Sequence, residues 1–381
     1  MPPTASPRPL GGQPPREKAI TFEALLLVVV VTRLAAHFSL SQPLQGDALA
    51  NVSIAHALAA GQWPAMQMAQ SIGYPAVLAP FFALFGDAGS ISFGVNLSLA
   101  IGSALLVWQV ARGMGLRETG QKLALLGYAL WLPGIWDCTL VVKENLGVPL
   151  MLASAWLALR LLREGPRVDL ALASGAVWGA GMLTAPSLLP LIAAPVAALV
   201  LGPGGWRAPL ALAAVAAGAA LTLAPWGWLS GVLPAMPATG ALAMLAAGSG
   251  PMGSPLPPID LHPFDATLGR LVMFWWPHFP DAGPHALSRA MTYMRIGEVT
   301  QYITIFTLGF AGLVAAHTMG RQRAVIGVLI LGFWLLGGSR LVGDAYRDPV
   351  MPLLIVLAAA VLSDLIYRRP ARRPAMRPLR R

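Results

Sequence analysis

Asp47, Glu144, Arg340 and Arg347 lie at the edges of long apolar stretches. An ionisable side chain at such a boundary is costly unless solvated or paired, so each is a candidate for binding or catalysis. A carboxylate there can act as a general base toward a hydroxyl group. An arginine presents a planar fork that fits a phosphate. Each residue also has a plainer role open to it. Asp47 precedes an apolar run, the pattern of a helix cap, and Glu144 stands where a helix dipole favours an acid. Arg340 and Arg347 can reach lipid headgroups or pair with Asp344 and Asp348. Taken singly, none of the four assigns a function.

The remaining polar residues gather in the same few segments. Residues 41–90 carry Gln45-Gly46-Asp47, then GQWP and Gly73-Tyr74-Pro75. The short WDCTLVVKEN stretch holds Asp137, Lys143 and Glu144. Residues 229–300 bring Asp260, His262, Asp265, Arg270 and the run MFWWPHFP with Trp275 and His278, then Asp281, Arg289 and Arg295. The aromatic run reads mainly as a membrane-interface belt, and His262 and His278 lack metal-ligand spacing. GGSRLVGDAYRDP adds Asp344, Tyr346 and Asp348 to its two arginines. The single cysteine, Cys138, excludes an intrachain disulfide and a multi-cysteine metal site, and reads as a small packing residue. No phosphate-cradling glycine loop, nucleophile elbow, HExxH motif or regular repeat occurs. Acids are nearly absent from the middles of the apolar stretches, where ion-coupled transport needs them.

The elements that position these residues follow from composition. Of 381 residues 56% are hydrophobic and 11% charged, against about a quarter charged in a soluble domain. An all-α polytopic membrane protein results, since about twenty apolar residues make one span. Ten spans are predicted at about 20–40, 91–111, 122–137, 145–163, 169–187, 188–202, 208–228, 301–319, 324–341 and 347–366. Segment 73–86 is short and proline-marked, which predicts an interfacial or re-entrant helix, and 233–248 is open to either reading. Residues 1–18, rich in Pro and Gly, are expected to form a disordered cytoplasmic tail. They are no signal peptide, so the first span is expected to stay uncleaved. Residues 19–366 are expected to form one transmembrane domain with periplasmic loops 41–90 and 229–300, and residues 367–381 a basic cytoplasmic tail.

The formal charge of +10 tests this layout. With both termini inside, every short inner loop carries Lys or Arg, as membrane topology requires. The basic excess therefore reports orientation and excludes nucleic acid as its cause.

Collinear motifs then carry a resemblance over residues 20–366. Asp47 in the first outer loop, GYPAVLAPFFALFG, an Asn-bearing second span, ALWLPGIWDCTLVVKEN, GAGMLTAPSLLPL, LAPWGWLSG and YRDPVMPLLIVLAA together resemble the C-type (GT-C) membrane glycosyltransferases. That is the class of the protein O-mannosyltransferases and the lipid A aminoarabinose transferase. The resemblance implies a bacterial inner-membrane enzyme that transfers a sugar from a polyprenyl-phosphate carrier to a periplasmic acceptor, a lipid, glycan or protein, by inverting displacement. It implies Asp47 and Glu144 as catalytic acids, and Lys143, Arg340, Tyr346 and Arg347 as carrier-phosphate ligands. Tyr74, Trp275 and His278 would line the cavity. The partners are the lipid-linked donor and membrane lipids. Asp47 is not part of a DxD pair, so a divalent cation and the oligomeric state are left open. A flippase for a lipid-linked sugar and a non-catalytic GT-C-like envelope protein are the alternatives; a flippase would need polar residues across the membrane, whereas here they cluster at one face.

Overall fold

The computed structural model describes residues 20–39, 46–63, 72–86, 89–203, 205–229, 289–315, 320–338 and 348–367. Every regular element among them is helical. Helix α1 (Phe22–Ser39) is followed by two short helices packed on each other, α2 (Asp47–Ala59) and α3 (Gly73–Phe85). Then come α4 (Gly89–Gly113), α5 (Glu118–Ala129), α6 (Leu132–Asp137), α7 (Glu144–Glu164) and α8 (Val168–Thr184). A 3-10 stretch, Pro186–Ile192, leads into α9 (Ala193–Leu201), and α10 (Ala208–Leu229), α11 (Arg289–Ala315), α12 (Gly320–Gly338) and α13 (Met351–Tyr367) follow. Helices α1, α4 and α7 and the segment Gly205–Gly227 are long and apolar enough to cross a membrane. The protein is a helical membrane protein.

Helix α13 is buried continuously from Met351 to Ala360, as a helix apolar all round must be. It packs against α11, α5 and α4, and with the buried face of α7 forms the centre of the core. Between spans there is no aqueous driving force for association, so close backbone packing has to hold helices together. Helices α8 and α10 show it. Gly175 and Gly179 on α8 and Gly218 on α10 lie so near the facing backbone, at the Val215, Ala219 and Leu172 carbonyls, that no Cβ fits unshifted. Gly309 and Gly312 play the same part between α11 and α13, facing Leu354 and Leu357.

Three expected elements change. The span expected at 122–137 breaks after Ala129, because Pro133 lacks the N–H that would extend α5 and suits the first turn of a new helix. The one expected at 188–202 begins as a 3-10 stretch marked by Pro186 and Pro190 before continuing as α9. The one expected at 301–319 starts earlier, at Arg289. Segment 73–86 forms the short helix α3, with Pro80 inside it. Residues 233–248 lie outside the described residues.

Candidate functional site

The acids of WDCTLVVKEN stand at the end of α6 and the start of α7, joined by the turn 138–143. Backbone bonds within the turn are few: Thr139 N donates to Trp136 O at 2.9 Å and Leu140 N to Asp137 O at 2.9 Å. The Val142 and Lys143 carbonyls accept from the first N–H groups of α7, and the carbonyls of Asp137, Cys138, Leu140 and Val141 accept from amide side chains on three helices. Asn51 on α2 donates to Val141 O at 2.9 Å. Asn96 on α4 donates to Cys138 O at 3.2 Å and Leu140 O at 2.8 Å. Asn145 on α7 donates to Asp137 O at 2.8 Å and Leu140 O at 2.9 Å. The Tyr74 hydroxyl of α3 donates to Asn96 Oδ1 at 2.6 Å, which fixes which end of that amide faces the turn. Asn51, Tyr74 and Asn96 are all buried, and a buried amide is tolerated only when its hydrogen bonds are made. The network therefore specifies one conformation for the turn.

Gly73 lets α3 reach this position. A Cβ there would lie 2.5 Å from Thr184 Oγ1 and 2.7 Å from Thr184 N, at the end of α8.

With the turn fixed, Asp137, Glu144 and Asn145 line a recess together with Tyr128, Trp131, Gly134, Ser103, Ala100 and Val148. Its volume of about 20 Å³ holds one water-sized group. Two carboxylates and an amide around so small a space suit a single hydroxyl. Lys143 is half-buried one residue before Glu144. Burial pushes the Cys138 thiol up to about 12, against the pull of the Arg33 guanidinium and with a smaller push from the Asp137 carboxylate. Cys138 is thus a neutral, buried thiol beside an acid.

The corner between α5 and α6 forms the other wall. Breaking a helix at membrane depth frees backbone groups that lipid cannot satisfy. Gln301 on α11 answers on both sides of the break, accepting from Leu132 N at 3.0 Å and donating to Leu130 O at 2.8 Å. Arg33 on α1, wholly buried, donates to Ala129 O at 3.3 Å and Tyr128 O at 3.4 Å.

Asp47 is the first residue of α2 and is exposed. It precedes Asn51 by one turn and so shares the helix face that meets the 138–143 turn. The cap position itself is Gly46, so Asp47 stands in the first turn of α2, where the helix dipole favours an acid. Tyr74 belongs to the network beneath the recess. Arg340, Tyr346, Arg347, Trp275 and His278 lie outside the described residues. Among the described residues, no three His, Cys, Asp or Glu side chains are grouped to hold a metal ion. The amides Asn51, Asn96, Asn145 and Gln301 and the guanidinium of Arg33 were not among the expected site residues. The available signal was their polarity inside apolar helices.

No protein-family model matches the sequence, and no curated protein sequence matches it either. Solved structures do. ArnT from Cupriavidus metallidurans, bound to undecaprenyl phosphate, superposes with a TM-score of 0.59 at 17% identity over 90% of this chain and 60% of its own. The oligosaccharyltransferase AglB from Archaeoglobus fulgidus, in complex with an inhibitory peptide and a dolichol-phosphate, gives 0.51 at 10% identity over 90% of this chain and 50% of its own. The chain thus spans between half and three-fifths of these proteins. At such identities the likeness shows the fold, and the fold is that of the GT-C class, as the order of sequence motifs implied.

Proposed function

We propose that the protein is a glycosyltransferase that takes a sugar from a polyprenyl-phosphate carrier and delivers it to an acceptor hydroxyl at the periplasmic face of a bacterial inner membrane. The observation that carries this reading is the recess in which Asp137 and Glu144 stand together, built on a GT-C fold. Support comes from the structural neighbours, one bound to undecaprenyl phosphate and one to a dolichol-phosphate.

The reaction is a displacement at the anomeric carbon. Asp47, exposed at the start of α2, takes the proton of the acceptor hydroxyl. The freed oxygen pair attacks the anomeric carbon from the side opposite the carrier. The bond from that carbon to the phosphate oxygen breaks with its electron pair going to the phosphate, so configuration inverts. Asp137 and Glu144 accept hydrogen bonds from a substrate hydroxyl seated in the recess and hold the sugar for attack. Lys143, Arg340 and Arg347 offset the charge that develops on the phosphate, with Tyr346 as a further ligand. A lipid-linked donor brings its own activated bond, so a nucleotide-binding module is unnecessary.

The test is turnover of undecaprenyl-phosphate-linked sugars by the full chain in lipid nanodiscs, read as undecaprenyl phosphate released. Asp47→Asn is expected to lower turnover by about 10² to 10⁴, and Asp137→Asn and Glu144→Gln to lower it while undecaprenyl phosphate still binds. Full turnover in all three folded variants would overturn the assignment. Carrier binding without turnover by the unaltered protein would favour a non-catalytic carrier-binding role.

A further inference from the structure

We propose that Arg33 is a positioning residue of the recess, a buried cation on α1 that locks the α5–α6 corner and balances the charge of Asp137 and Glu144. The inference rests on reading the recess as the transfer site.

Arg33 is wholly inaccessible to solvent and sits within a candidate membrane span. Among the described residues its hydrogen bonds go to neutral oxygens: Val29 O at 3.3 Å, Thr32 Oγ1 at 3.2 Å, Ala129 O at 3.3 Å and Tyr128 O at 3.4 Å. Its Nε is buried with no acceptor among the described residues. The charge is therefore carried into the interior with no carboxylate of the described residues paired to it. If the need were only to satisfy the end of α5, a neutral amide would serve, and one residue on Gln301 does the same work. A guanidinium in the same corner incurs a desolvation cost that a neutral donor avoids.

What the charge faces explains its presence. The guanidinium lies 5.0 Å from the centroid of the Tyr128 ring, and that ring lines the recess with Asp137 and Glu144. Its field reaches Cys138, the neighbour of Asp137. Two carboxylates around a space for one hydroxyl repel each other, and a fixed cation behind the wall offsets that repulsion without occupying the recess. The same side chain fixes the carbonyls from which Trp131 and α6 depart, so it sets both the shape and the potential of the recess. Arg33 touches no substrate and acts through Tyr128 and the corner.

The test compares Arg33→Met and Arg33→Lys in the full chain in nanodiscs. Arg33→Met is expected to reduce turnover of an undecaprenyl-phosphate-linked sugar by about a hundred-fold per folded molecule, with undecaprenyl phosphate affinity unchanged. Arg33→Lys, which keeps the charge, is expected to recover part of the loss. The lone thiol supplies a readout independent of activity. Because Cys138 is the single cysteine, the infrared S–H stretch reports the field at one place. That band is expected to move in Arg33→Met and return toward its original position in Arg33→Lys. A band unmoved in Arg33→Met, or turnover that falls equally in both variants, would overturn the role of the charge. If the unaltered protein turns over no donor but the band behaves as expected, the transferase reading fails and the electrostatic link stands.

Discussion

Replacing Asn96 with Ala tests whether the amide network holds the acid-bearing turn. The side chain makes three bonds, to Tyr74 Oη at 2.6 Å, Cys138 O at 3.2 Å and Leu140 O at 2.8 Å. Leu140 O keeps a donor in Asn145, and the Tyr74 hydroxyl keeps Asn145 within reach, so the substitution orphans one buried group, the Cys138 carbonyl, and takes one of two partners from Tyr74. Leaving a buried polar group unpaired costs about 1–3 kcal/mol, about 2 kcal/mol at the middle of that range. Side-chain hydrogen bonds within membrane proteins average about 0.6 kcal/mol, and three of them sum to about 2 kcal/mol. Both routes centre near 2 kcal/mol, or about thirty-fold in the equilibrium for opening the turn. Cys138 reads that equilibrium directly, because it is the lone thiol, lies in the turn and is 1% exposed. Maleimide labelling at pH 7 is therefore expected to be slow in the unaltered protein and about thirty-fold faster in Asn96→Ala. Tyr74→Phe orphans only Asn96 Oδ1 and should accelerate labelling by a smaller factor, about three- to ten-fold. A labelling rate within about two-fold of the original in folded Asn96→Ala would refute the claim that these bonds fix the turn.

Gly73→Ala places a methyl group against Thr184 N and Oγ1. It should lower stability by about 1–3 kcal/mol and speed Cys138 labelling, since α3 carries Tyr74; unchanged melting and labelling would show that α3 and α8 can part freely. Gly218→Val forces α10 away from the Leu172 carbonyl and should lower the melting temperature without altering Cys138 labelling at 25 °C, which a parallel rise in labelling would contradict. Gln301→Leu removes both bonds across the α5–α6 break and should destabilise by about 1–3 kcal/mol, measured by thermal unfolding in detergent. Equal melting in Gln301→Leu would mean that the corner satisfies itself.

The spans were legible because lipid imposes one simple rule on sequence. Apolar length alone located α1, α4, α7, α10 and α13 to within a few residues. Prolines blurred two others, the stretch that became α5 and α6 and the 3-10 entry to α9. Pro133 divides what hydropathy reads as one stretch, and only the partner at Gln301, far away in sequence, makes that break tolerable. Glu144 was legible as a candidate through its place before an apolar run. Its partnership with Asp137 was not, since a short helix followed by a turn can point two acids in many directions. What selects one direction is the set of bonds from Asn51, Asn96 and Asn145, and their partners are backbone carbonyls that leave no trace in residue type. The expected roles of Arg340, Tyr346 and Arg347 come from motif order.

The distribution of those bonds has a mechanical consequence. Two of the side chains that hold the turn, Asn51 and Tyr74, sit on α2 and α3, which pack mainly on each other. The others sit on α4 and α7, which belong to the core. The turn is therefore suspended between the core and a short helical pair that carries Asp47 at its tip. A displacement of α2 breaks the bond to Val141 O, and a displacement of α3 frees the Asn96 amide to rotate. Whatever enters beside α2 and α3 thus acts on Lys143 and Glu144 through three hydrogen bonds, and the exposed acid and the recessed pair are geometrically coupled. Under the proposed reaction, the base at Asp47 and the hydroxyl-holding pair would be aligned by the same movement, so a donor that fails to seat the α2–α3 pair also leaves the recess unformed. Labelling of Cys138 in the presence of undecaprenyl phosphate measures this coupling: it should slow on binding, and a rate indifferent to saturating carrier would separate the two helices from the site.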